Sequence, residues 1–136
     1  MPLWWKQQAE LFLSFLRFMA GAMFIEHGTQ KVWNFPLVAR EPYHFLTINP
    51  GLASVLELGG GTLIVFGLFT RPVAFVLSGF MAFAYFMAHA PRSFYPLVNG
   101  GDDAILYCFA FLYISAAGAG PLSLDRLFFG KTAVAR

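Results

Sequence analysis

The chain has 136 residues, of which 58% are hydrophobic, 18% aromatic and 12% charged, with a formal net charge of +2. That length bounds it to one domain, and a mean hydropathy of +0.63 is too apolar for a water-soluble domain of this size. So small a charge with no basic run excludes a nucleic-acid partner, and a lone cysteine, Cys108, excludes an internal disulfide and any multi-cysteine metal or cluster site.

The expected architecture is therefore all-α: a transmembrane four-helix bundle in one membrane domain over 1–136, with the lipid bilayer as its first partner. The opening Met1-Pro2-Leu3-Trp4-Trp5-Lys6 lacks a basic n-region and a small-residue cleavage site, so it does not read as a secretory signal. A span needs about 20 mostly apolar residues to cross about 30 Å of hydrocarbon. The first is expected over about 8–27 and carries Arg17 inside an apolar run. A proline-containing outer connection follows, with Pro36, Pro42 and Pro50. The second span is expected over about 52–69 and carries Glu57. Thr70-Arg71-Pro72 then makes a tight hairpin into the third, about 72–90, and Asn99-Gly100-Gly101 precedes the fourth, about 104–119.

Four spans place both termini on one face. That face collects Lys6, Arg71, Arg126, Lys131 and Arg136, against Lys31, Arg40 and Arg92 on the other. The excess points to cytoplasmic termini of a multi-pass membrane protein by the positive-inside rule.

An ionised group in hydrocarbon costs about 2.5–3.5 kcal/mol on insertion scales, so Arg17 and Glu57 mark the inside of the bundle. On the first helix Glu10, Ser14, Arg17, Gly21, Phe24, Gly28 and Lys31 recur at spacings of three and four and share one stripe. The third helix offers Ser78, Ala82, Tyr85 and His89 at the same spacing. The fourth opens on Asp102 and Asp103 and reaches Tyr107 one turn later. His27, Glu57, His89, Asp102 and Asp103 thus converge on the outer half of the bundle, with Arg17 nearer mid-membrane.

Two kinds of reading compete at each position. Arg17 and Glu57 either form a buried ion pair that fixes helix register or belong to a site. His27 and His89 are either hydrogen-bonded interfacial side chains or proton carriers. Asp102 and Asp103 cap a helix or line a cavity. Two histidines with carboxylates can also ligate a metal or a haem, but no i,i+4 pair or HExxH spacing supports that, and no metal site is assigned. A quinone head group, whose carbonyls need donors and whose reduction needs a proton route, suits this residue set better. Glu57, His27 and His89 are the candidate catalytic proton carriers. Arg17, Tyr85, Asp102, Asp103 and Tyr107 are the candidate cofactor-binding residues, Arg17 facing developing negative charge.

The run Arg17, Gly21, Phe24, Glu26, His27, Gly28, Lys31, with Glu57, Gly60 or Gly61, Gly67 and Thr70-Arg71-Pro72, resembles the DoxX family of small four-helix membrane proteins. The resemblance continues through Asn99-Gly100-Gly101-Asp102-Asp103-Ala104-Ile105-Leu106-Tyr107 and Gly118-Ala119-Gly120-Pro121-Leu122-Ser123-Leu124-Asp125. Asp102 stands where family members usually carry glutamate. The resemblance implies similarity to subunits of thiosulfate:quinone oxidoreductase, and hence a quinone-associated redox role. The chain holds no self-contained flavin, NAD or iron–sulfur motif, so electrons would come from a redox protein partner, with a homo-oligomer as the other expected assembly. A small proton or solute transport protein and a non-catalytic membrane adaptor are the rival functions.

Overall fold

A computed structural model describes residues 2–130. Lys131 and Arg136, assigned above to the terminal face, lie outside the described residues. Six helices and no strand occur among those described: α1 Leu3–Trp33, α2 Ile48–Phe66, α3 Thr70–Arg92, α4 Pro96–Asn99, α5 Asp102–Ala117 and α6 Leu124–Phe129. Four of them, α1, α2, α3 and α5, form the bundle. The first three are long and apolar enough to cross a membrane. α5, at 16 residues, spans about 24 Å.

α1 outruns its apolar segment at both ends and, with 31 residues, reaches about 46 Å. Its amphipathic ends, from Lys6 to Lys31, favour continued helix over loop. It stops where Asn34 turns left-handed (φ 53°), returning its N–H to Gln30 and letting Phe35 reach Thr29. α2 opens with one extended residue, Asn49, before Pro50. It stops at Gly67, whose φ of +66° suits glycine. The hairpin into α3 is therefore 67–69, and Thr70-Arg71-Pro72 already forms the first turn of α3, where proline needs no N–H.

Two helices contain wide i→i+5 turns. One covers Leu56–Gly60 and holds Glu57; the other covers Tyr85–His89 and holds both of the site candidates on α3. Such turns displace a side chain from regular helical spacing and are frequent at functional positions.

α3 packs mainly on α5, and α1 on α2. The core they enclose is Phe24, Ile64, Ala74, Leu77, Phe111 and Ile114, with Tyr107 at its edge. Phe24 meets Phe111 edge-on at 5.1 Å and Tyr107 at 5.4 Å. Phe12, Phe15, Phe18 and Met19 of α1 point away from this core and are exposed, as lipid-facing residues of a span should be.

The terminal end is closed by a polar clasp. Arg17, 2% exposed, gives four of its five N–H groups to backbone carbonyls: Ile64 and Val65 at the end of α2, and Ala119 and Leu122 beyond α5. The bond to Ala119 is 2.8 Å. Leu122 N–H in turn donates to Ser14 Oγ at 3.2 Å. Arg71 donates to the carbonyls of Ser115, Ala116 and Ala117, satisfying the last turn of α5. Asp125 accepts from Phe69 N–H at 2.7 Å and Thr70 N–H at 2.9 Å, capping α3, while its own N–H donates to Gly67 at 2.8 Å. The Ser123-Leu124-Asp125 motif thus closes the bundle. Asp125→Ala is expected to cost about 1–2 kcal/mol, read as a lowered thermal midpoint by circular dichroism in micelles. Asp125→Asn, which keeps one acceptor, should lose less; equal midpoints for all three proteins would remove the capping role.

Candidate functional site

The distal end, away from the termini, is where polar groups gather without being used up. Lys31 forms an ion pair with Glu57 Oε1, their side chains 22% and 5% exposed. Lys31 lies in the last turn of α1 and its long stem lets the ammonium reach inward along the helix. Glu57 can meet it because Gly28 has no side chain: a Cβ there would lie 3.2 Å from Glu57 Cβ and 2.6 Å from Leu58 Cγ.

Glu57 Oε2 has no partner, and neither has the hydroxyl of Tyr107. Among the described residues three buried side-chain polar atoms lack a hydrogen bond, and two of them are these; the third is Thr70 Oγ1. A buried donor or acceptor without a partner is costly and points to something that completes it.

His27 joins Tyr107 to the surface. Its ring meets Tyr107 edge-on at 6.0 Å, and Nδ1–H donates to the Met23 carbonyl at 3.0 Å, which leaves Nε2 as the free nitrogen. The residue is exposed. It borders an open depression of about 190 Å³ lined by Glu26, His27, Gln30, Pro36 and Leu37.

His89 and Tyr85 form a second group. Their rings stack at 6.3 Å, His89 Nδ1–H donates to the Asn99 carbonyl at 3.1 Å, and Tyr85 Oη accepts from Asn99 Nδ2 at 3.2 Å. Asn99, 2% exposed, organises the turn into α5: it also donates to Ser93 and accepts from Gly101 N–H at 2.8 Å. No hydrogen bond, ion pair or ring contact links this group to the Glu57 group among the described residues. Asp102 and Asp103 are exposed in the first turn of α5, where negative charge suits the helix dipole.

The sequence-based set is thus divided by the fold. His27 meets Tyr107, and Glu57 pairs with Lys31; His89 and Tyr85 sit apart with Asn99; Asp102 and Asp103 stay at the surface. Arg17 does not pair with Glu57 and is not part of their polar core, a correction with a plain cause. The carbonyls at the end of α2 and after α5 lie closer to its guanidinium and take its N–H groups, while Lys31 reaches Glu57 from the other end of α1. Lys31 and Asn99 are the two functional positions missed. Lys31 had a signal, being the last member of the α1 stripe, but read as a surface charge. No group of three or more His, Cys, Asp or Glu is placed to hold a metal among the described residues.

Lys31 Nζ and Tyr107 Oη can donate hydrogen bonds at this end of the bundle, and Glu57 Oε2 can accept one or hold a proton.

The family model of DoxX matches residues 12–90. That stretch holds Arg17, Lys31, Glu57 and His89 but ends before Asn99 and the α5 motifs. Two similar proteins come from Haemophilus influenzae (strain ATCC 51907 / DSM 11121 / KW20 / Rd), both described as uncharacterized proteins. One is 44% identical over 125 residues, covering 88% of this chain and 92% of its own length. The other is 32% identical over 123 residues, covering 85% and 82%. No solved structure matches the chain. With more than half of its length matched and its apolar helices in place, this protein belongs to the DoxX family of membrane proteins.

Proposed function

We propose that this DoxX protein is the membrane subunit of a quinone-linked oxidoreductase in the bacterial inner membrane, with its termini in the cytoplasm. The observation that carries the reading is the pair of buried unpartnered atoms, Glu57 Oε2 and Tyr107 Oη, the first of them on the carboxylate that pairs with Lys31. When bound, a quinone supplies two-electron, two-proton redox chemistry. The chain's own residues supply the rest. Lys31 and Tyr107 donate hydrogen bonds and orient the ring. Lys31 offsets negative charge gained there. Glu57 holds a proton at Oε2, and His27, exposed on one side and against Tyr107 on the other, relays protons to the distal surface. A partner redox protein delivers the electrons.

Tyr107→Phe removes one donor and keeps the ring that packs on Phe24 and Phe111. It is expected to weaken binding of a decyl benzoquinone to the purified protein in nanodiscs by about 3–10-fold, with the thermal midpoint unchanged. Unchanged affinity would remove Tyr107 from the site. Purification from native membranes with no redox protein and no quinone attached would end the subunit reading.

A further inference from the structure

Both connections at the distal end turn back down the outside of the bundle. After Trp33 the chain reverses. Phe35 N–H donates to the Thr29 carbonyl at 3.4 Å, and the Phe35 carbonyl accepts from Thr29 Oγ1 at 3.0 Å. Pro36 and Leu37 then border Glu26 and His27, about 9 Å below the end of α1 by helical rise. The chain after α3 does the same. His89 bonds to the Asn99 carbonyl, and Gly101 lies so close to Tyr85 that an added Cβ would be 2.5 Å from its ring. Tyr85 is about 10 Å short of the α3 end at Arg92, so residues 93–101 descend beside the helix they have just left.

What the two connections show outward is apolar. Leu46, Phe94 and Leu97 are 95%, 87% and 85% exposed, the three most exposed large apolar side chains among the described residues. Phe35, Val38, Phe45 and Val98 are exposed with them. This surface continues the lipid-facing surface of α3, where Phe83, Phe86 and Met87 are exposed. The fourth crossing also depends on it. α5 covers about 24 Å of a hydrocarbon layer of about 30 Å, and residues 93–101 lead into its start. Some of the irregular main chain is satisfied without water: Ala39 N–H donates to Asn34 Oδ1 at 2.9 Å, and the Ser93 carbonyl accepts from Asn99 Nδ2 at 2.9 Å. Arg40, Glu41 and Arg92, all exposed, keep the segments near the headgroups rather than deeper.

We propose that the two distal connections, 34–47 and 93–101, form a collar inserted in the distal leaflet at the boundary of headgroups and acyl chains, with lipid as its partner. The collar sets the depth of the bundle in that leaflet.

The test places a nitroxide at Leu46→Cys, Leu97→Cys and, as reference, Glu41→Cys, each in a Cys108→Ala background. The whole protein is held in nanodiscs of phosphatidylcholine and phosphatidylglycerol. Collision with oxygen, which partitions into acyl chains, is compared with collision with a nickel chelate, which stays in water. Labels at 46 and 97 are expected to favour oxygen and to report a depth of about 5–10 Å below the headgroup surface, that of an interfacial segment. The label at 41 should favour the nickel chelate. Leu46 and Leu97 pack on so little that their variants should fold; Val38→Cys and Phe94→Cys repeat the measurement if either does not. A label that favours the nickel chelate at 46 or 97 removes its connection from the collar. Labels shielded from both reagents overturn the lipid partner in favour of protein, and spin–spin broadening among them would identify a second copy of this chain. Neither result bears on the quinone reading.

Discussion

Arg17→Leu is expected to lower the stability of the bundle by about 4 kcal/mol, enough that little folded protein accumulates. Four charge-assisted hydrogen bonds disappear, and four carbonyls, two ending α2 and two following α5, lose the donor that satisfies them. Each buried carbonyl left alone costs about 1–3 kcal/mol, and the losses overlap because one side chain serves all four. Arg17→Lys should recover less than half of the loss. An ammonium is a compact point charge with three donors, whereas the planar guanidinium fork spans carbonyls from separate segments. Denaturant titration in micelles reads the difference. A lysine variant as stable as wild type would mean that Arg17 contributes charge alone, contrary to its geometry. The ligand binding proposed for the distal end should be unchanged in whatever folded protein survives, since Arg17 touches no group there.

Lys31→Met and Glu57→Leu, made singly, are each expected to destabilise the protein by about 2–4 kcal/mol, and made together to cost less than the larger single loss. Removing one partner of a buried pair leaves the other charge uncompensated, whereas replacing both with apolar side chains relieves the desolvation of each. Lys31→Met should sit at the upper end, because it strands the 5% exposed carboxylate. Glu57→Leu should sit at the lower end, because the lysine side chain is 22% exposed and can turn its ammonium outward. The double-mutant cycle should give a coupling of about 2 kcal/mol or more. Additive single effects would show that the two side chains do not interact, and a coupling between Glu57 and Arg17 instead would redraw the core.

Much of the fold was written in where apolar runs broke. Gly67, Thr70-Arg71-Pro72, Asn99-Gly100-Gly101 and Gly118 each fall at or beside a helix end, because a left-handed or N–H-free position marks a helix boundary whatever surrounds it. Arg17 and Glu57 were legible as interior residues for the same elementary reason: a charge in hydrocarbon must face inward. Both are buried, at 2% and 4%.

Their partners were not legible, because partners depend on depth and reach. Arg17 and Lys31 share one stripe of α1, and nothing in that spacing says which of them faces Glu57. The answer depends on backbone carbonyls, which have no letter of their own in a sequence. Asn99 read as punctuation for the same reason, since its side chain acts on main-chain atoms of its own turn and on one tyrosine. The wide turns at Leu56–Gly60 and Tyr85–His89 leave no periodic trace either. His89 bonds to Asn99, while His27 lies against Tyr107, pairings that no spacing announced.

The clasp at Arg17 also orders events during synthesis. Arg17 lies on the chain's first helix, while Ala119 and Leu122 follow it by 102 and 105 residues. At bacterial and eukaryotic elongation rates of about 5–20 residues per second, the guanidinium waits about 5–20 s for two of its acceptors. Throughout that interval a nascent chain leaving the translocon carries an uncovered cation at bilayer depth, drawn toward the headgroups by its own length. A ribosome that stalls before Gly118 releases a product whose first helix is polar where it should be sealed. The seal on Arg17 is thus complete only once Leu122 has been added, although Ile64 and Val65 can take two of its N–H groups earlier.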